Sequence, residues 1–326
     1  MKKQLLAALL ASAIALTMSG CSSTKSNTNN DDHYVVGICQ LAPHPALDAA
    51  TKGFQDKLTE LVEADGKTVE FKVQNANGEP TTCGTIINGF VSAQKMDLIL
   101  ANATAPLQTA AASTDKIPIL GTSISSYGTA LEEPEMGEST GRNVSGTSDL
   151  APLDQQAAMV KEWFPEAKNV GLLFCSAEAN SRYQIDTITP YLEDLGFTCT
   201  EYTFADSNDL ATVTTKACQN SDVIYVPTDN TVADNTGIIA NIAIPAKVPV
   251  IAGEESICSG CGVATLSISY EELGRTTGEM AYDILVKGED ISSMPIRFAP
   301  SVSKKYNKSI CNQLGLTPPE GYIAIE

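Results

Sequence analysis

The chain has 326 residues, 43% of them hydrophobic, which suits two folded domains or one large one. It carries 39 acidic but only 21 basic side chains, so its formal net charge is −18 at pH 7. An acidic surface of this kind disfavours nucleic acid and anionic lipid as partners.

The N-terminus has the pattern of a secretory signal. Two lysines and an apolar run at residues 5–16 precede the sequence MSGC, which ends at Cys21, and the run is too short to span a bilayer. We predict a signal peptide at 1–20 and, because MSGC resembles a bacterial lipobox, lipidation of Cys21. An ordinary cleaved signal with an incidental cysteine is the alternative. We expect the polar residues 21–33 to form a flexible tether. The protein is then predicted to be extracytoplasmic and to contact the cell membrane through its lipid anchor only.

Short β-branched runs alternate with helical patterns in the first half of the chain. The predicted strands lie at residues 34–38, 69–73, 98–100 and 117–120, and the predicted helices at 45–62, 81–94 and from Thr104 onward. Alternation of this kind predicts βαβ units and a mostly parallel sheet.

The same rhythm restarts after a loop rich in glycine, glutamate and proline. Here the predicted strands lie at residues 170–174, 197–204, 223–226 and 248–251, and the predicted helices at 181–195, 208–218, 230–242 and 270–287. Because the rhythm occurs twice, we predict an α/β fold of two doubly wound parallel-sheet lobes. The last helix should pack back on the first lobe, which creates a multi-crossover hinge. The predicted lobes are residues 34–145 with 268–294, and residues 146–267 with 295–326.

Polar residues follow most of the predicted strands. In open parallel sheets, ligands bind outside the carboxyl ends of the strands, so these residues are the candidate ligand-binding set. They are Gln40, His44, Thr104 and Ser123 in the first lobe, Asp149 near the crossover, and Asn180, Asp229, Asn230 and Glu254 in the second lobe.

The two lobes offer different chemistry to a ligand. The first lobe supplies hydroxyls and helix starts, which suit a carboxylate, whereas Asp229 and Glu254 in the second lobe suit an ammonium group. We therefore predict a small zwitterion clamped between the lobes, with its carboxylate near Thr104 and its ammonium on Asp229.

Several of the candidates have a purely structural alternative. His44 lies between two prolines and either lines the cleft or only shapes a turn. Thr104, Asn180 and Asp229 precede or begin predicted helices, and Asp149 lies at a predicted hinge, so each either contacts the ligand, caps a helix, or does both.

The cysteines permit a disulfide framework. Nine are present, of which eight follow Cys21, and an even count in an exported protein allows pairing. Cys39 and Cys83 are expected near each other at the rim of the first lobe, and Cys258 and Cys261 can close a small loop. The spacing of the last two also suits a metal, but no second Cys/His pair accompanies them, so we predict no metal site.

Catalytic motifs are missing from the sequence. It contains no GxSxG elbow, P-loop, HExxH or GxGxxG. We therefore predict a binding protein without enzymatic activity or a cofactor.

An ordered set of short stretches resembles the substrate-binding proteins of ABC importers for aromatic amino acids, the tryptophan/tyrosine type. These stretches are residues 37–40, 44–49, 102–106, 143–149, 176–181, 225–233 and 270–275. The resemblance covers nearly the whole mature chain. It implies the type I periplasmic-binding-protein fold, with three crossovers between its lobes, and uptake of an amino acid or similar solute through a separate permease and ATPase.

The sequence departs from this family in two respects. Glu254 stands where an aspartate is commoner, and the eight mature cysteines are unusual. A longer acid at Glu254 alters the pocket and so bears on the ligand. A lipid-anchored ligand sensor that feeds a membrane signalling receptor has the same clamshell and is the alternative function.

Overall fold

The computed structural model describes residues 32–299 and 301–325, and within them the strands form two sheets. Strands and helices are numbered here in chain order. The first sheet contains β1 (His33–Gln40), β2 (Thr68–Asn75), β3 (Leu98–Asn102), β4 (Ile119–Ile124), β5 (Val144–Ser148) and β11 (Arg297–Phe298). They lie in the order β11-β5-β4-β3-β1-β2, and each neighbouring pair is parallel.

The second sheet has a parallel core with an antiparallel extension. It contains β6 (Asn169–Cys175), β7 (Thr198–Phe204), β8 (Val223–Val226), β9 (Val250–Ala252), β10 (Ala264–Ser267), β12 (Ser303–Tyr306) and β13 (Ile323–Ala324). Their order is β13-β12-β10-β9-β8-β6-β7, and β12 runs antiparallel to β10.

Helices accompany each sheet, and a sheet with its helices is called a lobe below. The first lobe has α1 (Pro45–Ala64), α2 (Pro80–Val91), α3 (Thr104–Ser113), α4 (Tyr127–Ala130), α11 (Tyr270–Leu285) and a 3₁₀ turn at Ile291–Ser293. The second has α5 (Leu153–Trp163), α6 (Ala179–Asp194), α7 (Ser207–Asn220), α8 (Asn230–Asp234), α9 (Thr236–Ala246), α10 (Glu255–Cys261) and α12 (Lys308–Leu314).

Burial explains why the central strands read as continuous apolar runs. All residues of β3 and β4 are buried, because helices cover both faces of a parallel sheet. The predicted α/β fold of two parallel-sheet lobes is confirmed.

The late helix α11 packs along α1 in the first lobe. The approach requires glycine on both helices: a Cβ at Gly274 would lie 2.0 Å from the carbonyl oxygen of Ala50, and one at Gly53 would lie 2.2 Å from that of Glu271. The chain therefore returns to the first lobe after completing β10.

The lobe boundaries differ from those expected. The division between residues 145 and 146 would cut β5, yet the whole strand is buried and pairs in the first sheet. β11 also pairs with β5, although residues 295–298 were expected in the second lobe. The described chain thus crosses between the sheets after β5, after β10 and between β11 and β12. The sequence VSGTS does not predict β5 as a buried strand, because its small polar side chains lack the usual apolar pattern.

One predicted helix is broken in the structure. The expected helix at 230–242 becomes α8 and α9, because the backbone of Asn235 leaves the helical region at φ −130° and ψ 24°. The Asn235 side chain donates to the carbonyl oxygen of Thr231 at 2.8 Å and so closes the end of α8. No helix among the described residues is both long and apolar enough to cross a membrane.

Candidate functional site

The carboxyl ends of the two sheets enclose a small cavity of about 10 Å³. It is lined by His44, Leu47, Ser123, Ser125, Asp149, Asn180, Thr228, Asp229, Asn230, Ala233, Glu254 and Tyr270. Seven of the nine predicted site residues are in this set. The topology brings them together because β1, β4, β5, β6, β8 and β9 all have their carboxyl ends at this edge of their sheets.

The other two predicted residues lie elsewhere. Thr104 lines a neighbouring cavity of about 290 Å³ at the mouth of the cleft, together with Asn180 and Asn230. Gln40 reaches neither cavity, because its amide donates to Asp48 at 2.7 Å and accepts from Thr51 at 2.7 Å. Its side chain joins β1 to α1 instead.

Asp229 is bound by the protein's own donors. Its carboxylate accepts from the backbone N–H of Cys175 at 2.7 Å, the hydroxyl of Ser181 at 2.8 Å and the backbone N–H of Val232 at 2.9 Å. The last bond caps α8. The capping alternative is therefore present, and most of the four lone-pair positions of a carboxylate are used.

Glu254 is held in a similar way at the start of α10. It accepts from the backbone N–H of Ser256, the Ser256 hydroxyl and the backbone N–H of Ile257, each at 2.6 Å. The longer side chain allows glutamate to fold back over its own helix start. This carboxylate too is largely occupied.

Asp149 differs from the two capping acids. Only hydroxyls donate to its side chain among the described residues, Ser125 at 3.0 Å and Tyr270 at 2.9 Å. It directly follows β5, where the chain crosses to the second lobe. Its carboxylate accepts fewer hydrogen bonds from other residues than that of Asp229 or Glu254 and so keeps more capacity for a donor.

The pKa values of all three carboxyl groups are raised, so that their ionised forms are disfavoured. Burial raises the pKa of Asp149 to about 6 from its ordinary value of 3.8. Burial, and then the negative charge of Glu178, raises the pKa of Asp229, and burial raises the pKa of Glu254 despite the opposing effect of His44. A cation in this cavity would relieve the cost of ionising these groups.

The first lobe presents the opposite charge preference. Ala103 precedes α3 with φ 92° and ψ 167°, a conformation that residues with a Cβ rarely adopt, and no side chain caps the helix start. Ser123 also has a positive φ of 59°, and its buried hydroxyl has no hydrogen-bond partner among the described residues. Free N–H groups at a helix start and an unpartnered hydroxyl both suit an anion.

His44 connects the two lobes. Asn230 donates its amide N–H to Glu178 at 2.7 Å, which turns its carbonyl oxygen toward Nε2 of His44 at 3.2 Å. The other ring nitrogen, Nδ1, is buried and has no hydrogen-bond partner in the described part of the chain. His44 therefore lines the cleft and does more than shape a turn.

A second bridge between the lobes was not expected from the sequence. Gln184 of α6 donates to the Ser125 hydroxyl at 3.2 Å and to the carbonyl oxygen of Thr228 at 3.1 Å. Tyr270, at the start of α11, was missed as well. Its position directly after the β10 crossover was the signal that could have identified it.

A larger cavity of about 550 Å³ adjoins the site on its other side. It shares Ala233, Glu254 and Tyr270 with the small cavity, and Pro45 and Ala46 of α1 form part of its wall. Pro45, Ala46, Ala49 and Ala233 make part of its wall apolar, whereas glutamates and serines make the rest polar. The mouth is acidic, with Glu79, Glu178, Asp206 and Asp234 among its lining residues.

The described cysteines lie outside this site, with one exception. Cys175 lines the mouth of the cleft, and each of the eight cysteines in the described chain is a free thiol. No group of three or more potential ligands could hold a metal ion within the described residues.

Two lobes that close on a polar cavity, with a multi-strand hinge between them, define a solute-binding protein. A family model for ABC transporter substrate-binding proteins matches residues 35–324, and the chain belongs to this family. The predicted family membership is thereby confirmed.

Relatives with known ligands or structures share most of the chain. A tyrosine-binding protein from Clostridioides difficile is 33% identical over 308 residues, which cover 90% of this chain and 87% of the relative. The structure of an ABC domain from Streptococcus pneumonia in complex with L-Trp is 29% identical, has a TM-score of 0.82, and is matched over 89% of this chain and 100% of its own.

A third relative gives information on the arrangement of the lobes. The ligand-free, open structure of a substrate-binding protein from Clostridium difficile is 35% identical and is matched over 90% of this chain and 99% of its own, yet its TM-score is only 0.67. The L-Trp complex is less similar in sequence but more similar in shape. The fold therefore superposes more closely on the L-Trp complex than on the ligand-free, open structure.

Proposed function

We propose that this protein binds an amino acid with an aromatic side chain between its lobes and delivers it to the permease and ATPase of an ABC importer. The observation that carries the proposal is the contrast between the two lobes. Helix α3 of the first lobe begins without a side-chain cap, whereas acids cap α8 and α10 in the second. One end of the cleft thus favours a negative group and the other a positive one.

The carboxylate of the ligand belongs at the first lobe. The N–H groups of Thr104 and Ala105 begin α3, and the Ser123 hydroxyl has no partner within the described residues. Hydrogen bonds from such donors to a charged oxygen are stronger than neutral ones. A carboxylate placed here would also pair a hydroxyl that is costly to leave unpaired.

The ammonium group belongs at Asp149. Asp229 and Glu254 each accept three hydrogen bonds from described groups, whereas Asp149 accepts two and keeps more capacity for a donor. An ammonium group beside Asp149 would also favour the ionised forms of Asp229 and Glu254, whose pKa values burial raises. Asp149 thus takes the main ion-pairing role that the sequence analysis gives to Asp229.

The relatives support an aromatic side chain. One is named a tyrosine-binding protein and another was solved with L-Trp. The small polar cavity has no room for a ring, but the adjoining cavity of about 550 Å³ has alanine and proline on its inner wall. Apolar walls suit the ring because burial of aromatic surface is favourable.

Export and anchoring complete the proposed function. Proteins of this family act outside the cytoplasm, and the signal peptide that the sequence predicts at 1–20 would direct the chain there. The lipid anchor at Cys21 and the tether at 21–33 would keep the protein near its permease. The signal peptide and Cys21 lie outside the described residues.

A thermal-shift panel of the twenty amino acids tests the proposal. A ligand at 100 times its dissociation constant stabilises the protein by about 2.7 kcal/mol. We expect L-tyrosine or L-tryptophan to raise the melting temperature most. If no amino acid raised it while a sugar or another neutral solute did, the proposed function would be wrong.

A further inference from the structure

Two thiols meet in the core of the first lobe. Cys39 in β1 and Cys83 in the first turn of α2 are both completely buried. Helix α2 packs closely on β1, since a Cβ at Gly37 would lie 2.7 Å from the ring of Phe90. Both cysteines belong to the same buried core cluster, and hydrogen bonding between their thiols raises the pKa of Cys39 and lowers that of Cys83.

Three other cysteines already direct their thiols at the backbone. Cys175 donates to Ala205 at 3.4 Å, and Cys261 to the carbonyl oxygen of Ile257 at 3.4 Å. Cys311 contacts the carbonyl oxygen of Val263 at 3.6 Å in the same manner. None of these contacts joins two sulfur atoms.

Two other candidate pairings are disfavoured by geometry. Cys258 and Cys261 occupy positions three apart on α10, where Cβ atoms lie about 5–6 Å apart, whereas a disulfide needs about 3.5–4.5 Å. Cys199 and Cys218 pack against different hydrophobic clusters of the second lobe. Cys39 and Cys83, by contrast, are completely buried in one core cluster, and each thiol shifts the pKa of the other.

We propose that Cys39 and Cys83 form the one disulfide of the exported protein. The oxidant is an external disulfide, either of a small molecule or of a thiol oxidase. One thiolate attacks it to give a mixed disulfide and releases one thiol. The second thiolate then attacks the mixed disulfide and releases the other thiol. Two S–H bonds are lost and one S–S bond forms, and the two electrons and two protons pass to the oxidant.

The disulfide would brace the first-lobe side of the cleft. It joins the first turn of α2, which directly follows Glu79 at the cleft mouth, to the strand that ends at Gln40. It also closes a loop of about 45 residues, which restricts the unfolded chain. Because both sulfurs are buried, pairing would occur during folding, and the folded protein would resist reduction.

Alkylation of the exported protein tests the pairing. The full chain with Cys21→Ser is purified without reductant, unfolded in the presence of N-ethylmaleimide, and weighed by mass spectrometry. We expect six adducts before reduction and eight after it, and a Cys39–Cys83 cross-link in the peptide map. Eight adducts before reduction, or a cross-link that joins another pair, would overturn the proposal.

Matched variants separate the disulfide from other effects of the cysteines. With wild type, reductant added during unfolding should lower the melting temperature by roughly 5–10 °C. The double variant Cys39→Ala, Cys83→Ala should show no response, and the control Cys199→Ala should respond as wild type does. An equal response in the double variant would contradict the assignment.

Discussion

Replacement of Asp149 by asparagine is the sharpest perturbation of the proposed site. Asparagine keeps the shape of the side chain, and its amide can still bond to the hydroxyls of Ser125 and Tyr270, which contact Asp149 at 3.0 Å and 2.9 Å. The change therefore removes the negative charge and keeps both contacts, with the direction of one hydrogen bond reversed because the amide NH₂ donates to the hydroxyl.

The expected effects on affinity and on stability have opposite signs. Loss of one partner of a buried charge pair costs about 2–5 kcal/mol, so we expect affinity to fall by roughly 30-fold to several thousandfold. Burial raises the pKa of Asp149 to about 6 from 3.8, so the ionised carboxylate costs about 3 kcal/mol near neutral pH. Without ligand, Asp149→Asn should therefore be at least as stable as wild type.

Calorimetric titration with L-tyrosine and L-tryptophan, together with melting curves, measures both effects. Asp229→Asn is the matched control, because Asp229 holds Cys175, Ser181 and Val232. It should lower the melting temperature and weaken binding less than Asp149→Asn does. If Asp149→Asn bound as wild type while Asp229→Asn lost affinity without losing stability, Asp229 would hold the ammonium group and our reasoning would be refuted.

Three further predictions concern pH, Ser123 and the anchor. The pKa values of Asp149, Asp229 and Glu254 are raised in the folded state, so the folded protein binds more protons than the unfolded chain. Its unfolding free energy without ligand should thus fall from pH 5 to pH 8; chemical denaturation at both values checks this, and a rise would contradict it. Ser123→Ala removes a hydroxyl that has no partner among the described residues. Titration should show affinity about tenfold lower, with the melting temperature of the ligand-free protein unchanged or higher; unchanged affinity would exclude Ser123 from the carboxylate site. Cys21→Ala should release the protein from the membrane fraction, since one acyl chain or none binds membranes only weakly. Fractionation with immunoblotting measures the release, and a variant that stays in the membrane fraction as wild type does would contradict the lipid anchor.

The sequence predicts the general location of the site well because strand ends are easy to find. Seven of the predicted residues line one cavity, since each lies at or after the carboxyl end of a largely buried strand, and the parallel topology fixes where those ends meet. Gln40 fits the same pattern but turns its amide toward Asp48 and Thr51. A strand-end position therefore gives the edge of the sheet but not the direction of the side chain.

The role of each acid is harder to predict. Asp229 and Glu254 are the acids at second-lobe strand ends, but the donors that occupy them include backbone N–H groups whose positions depend on the fold. Asp149 lies in a crossover after an unusually polar strand, and its partner Tyr270 is distant in sequence. The contact between them exists only because two crossovers lie side by side.

The central claim is that the cleft recognises both charges of an amino acid, and a comparison of ligand analogues tests it most directly. L-tyrosine is titrated beside tyramine, which lacks the carboxylate, and 3-(4-hydroxyphenyl)propionate, which lacks the ammonium group; L-tryptophan is compared with tryptamine and indole-3-propionate. We expect at least one amino acid to bind and both of its analogues to bind at least about 30-fold more weakly. An amine or an acid that bound as tightly as the intact amino acid would contradict the account.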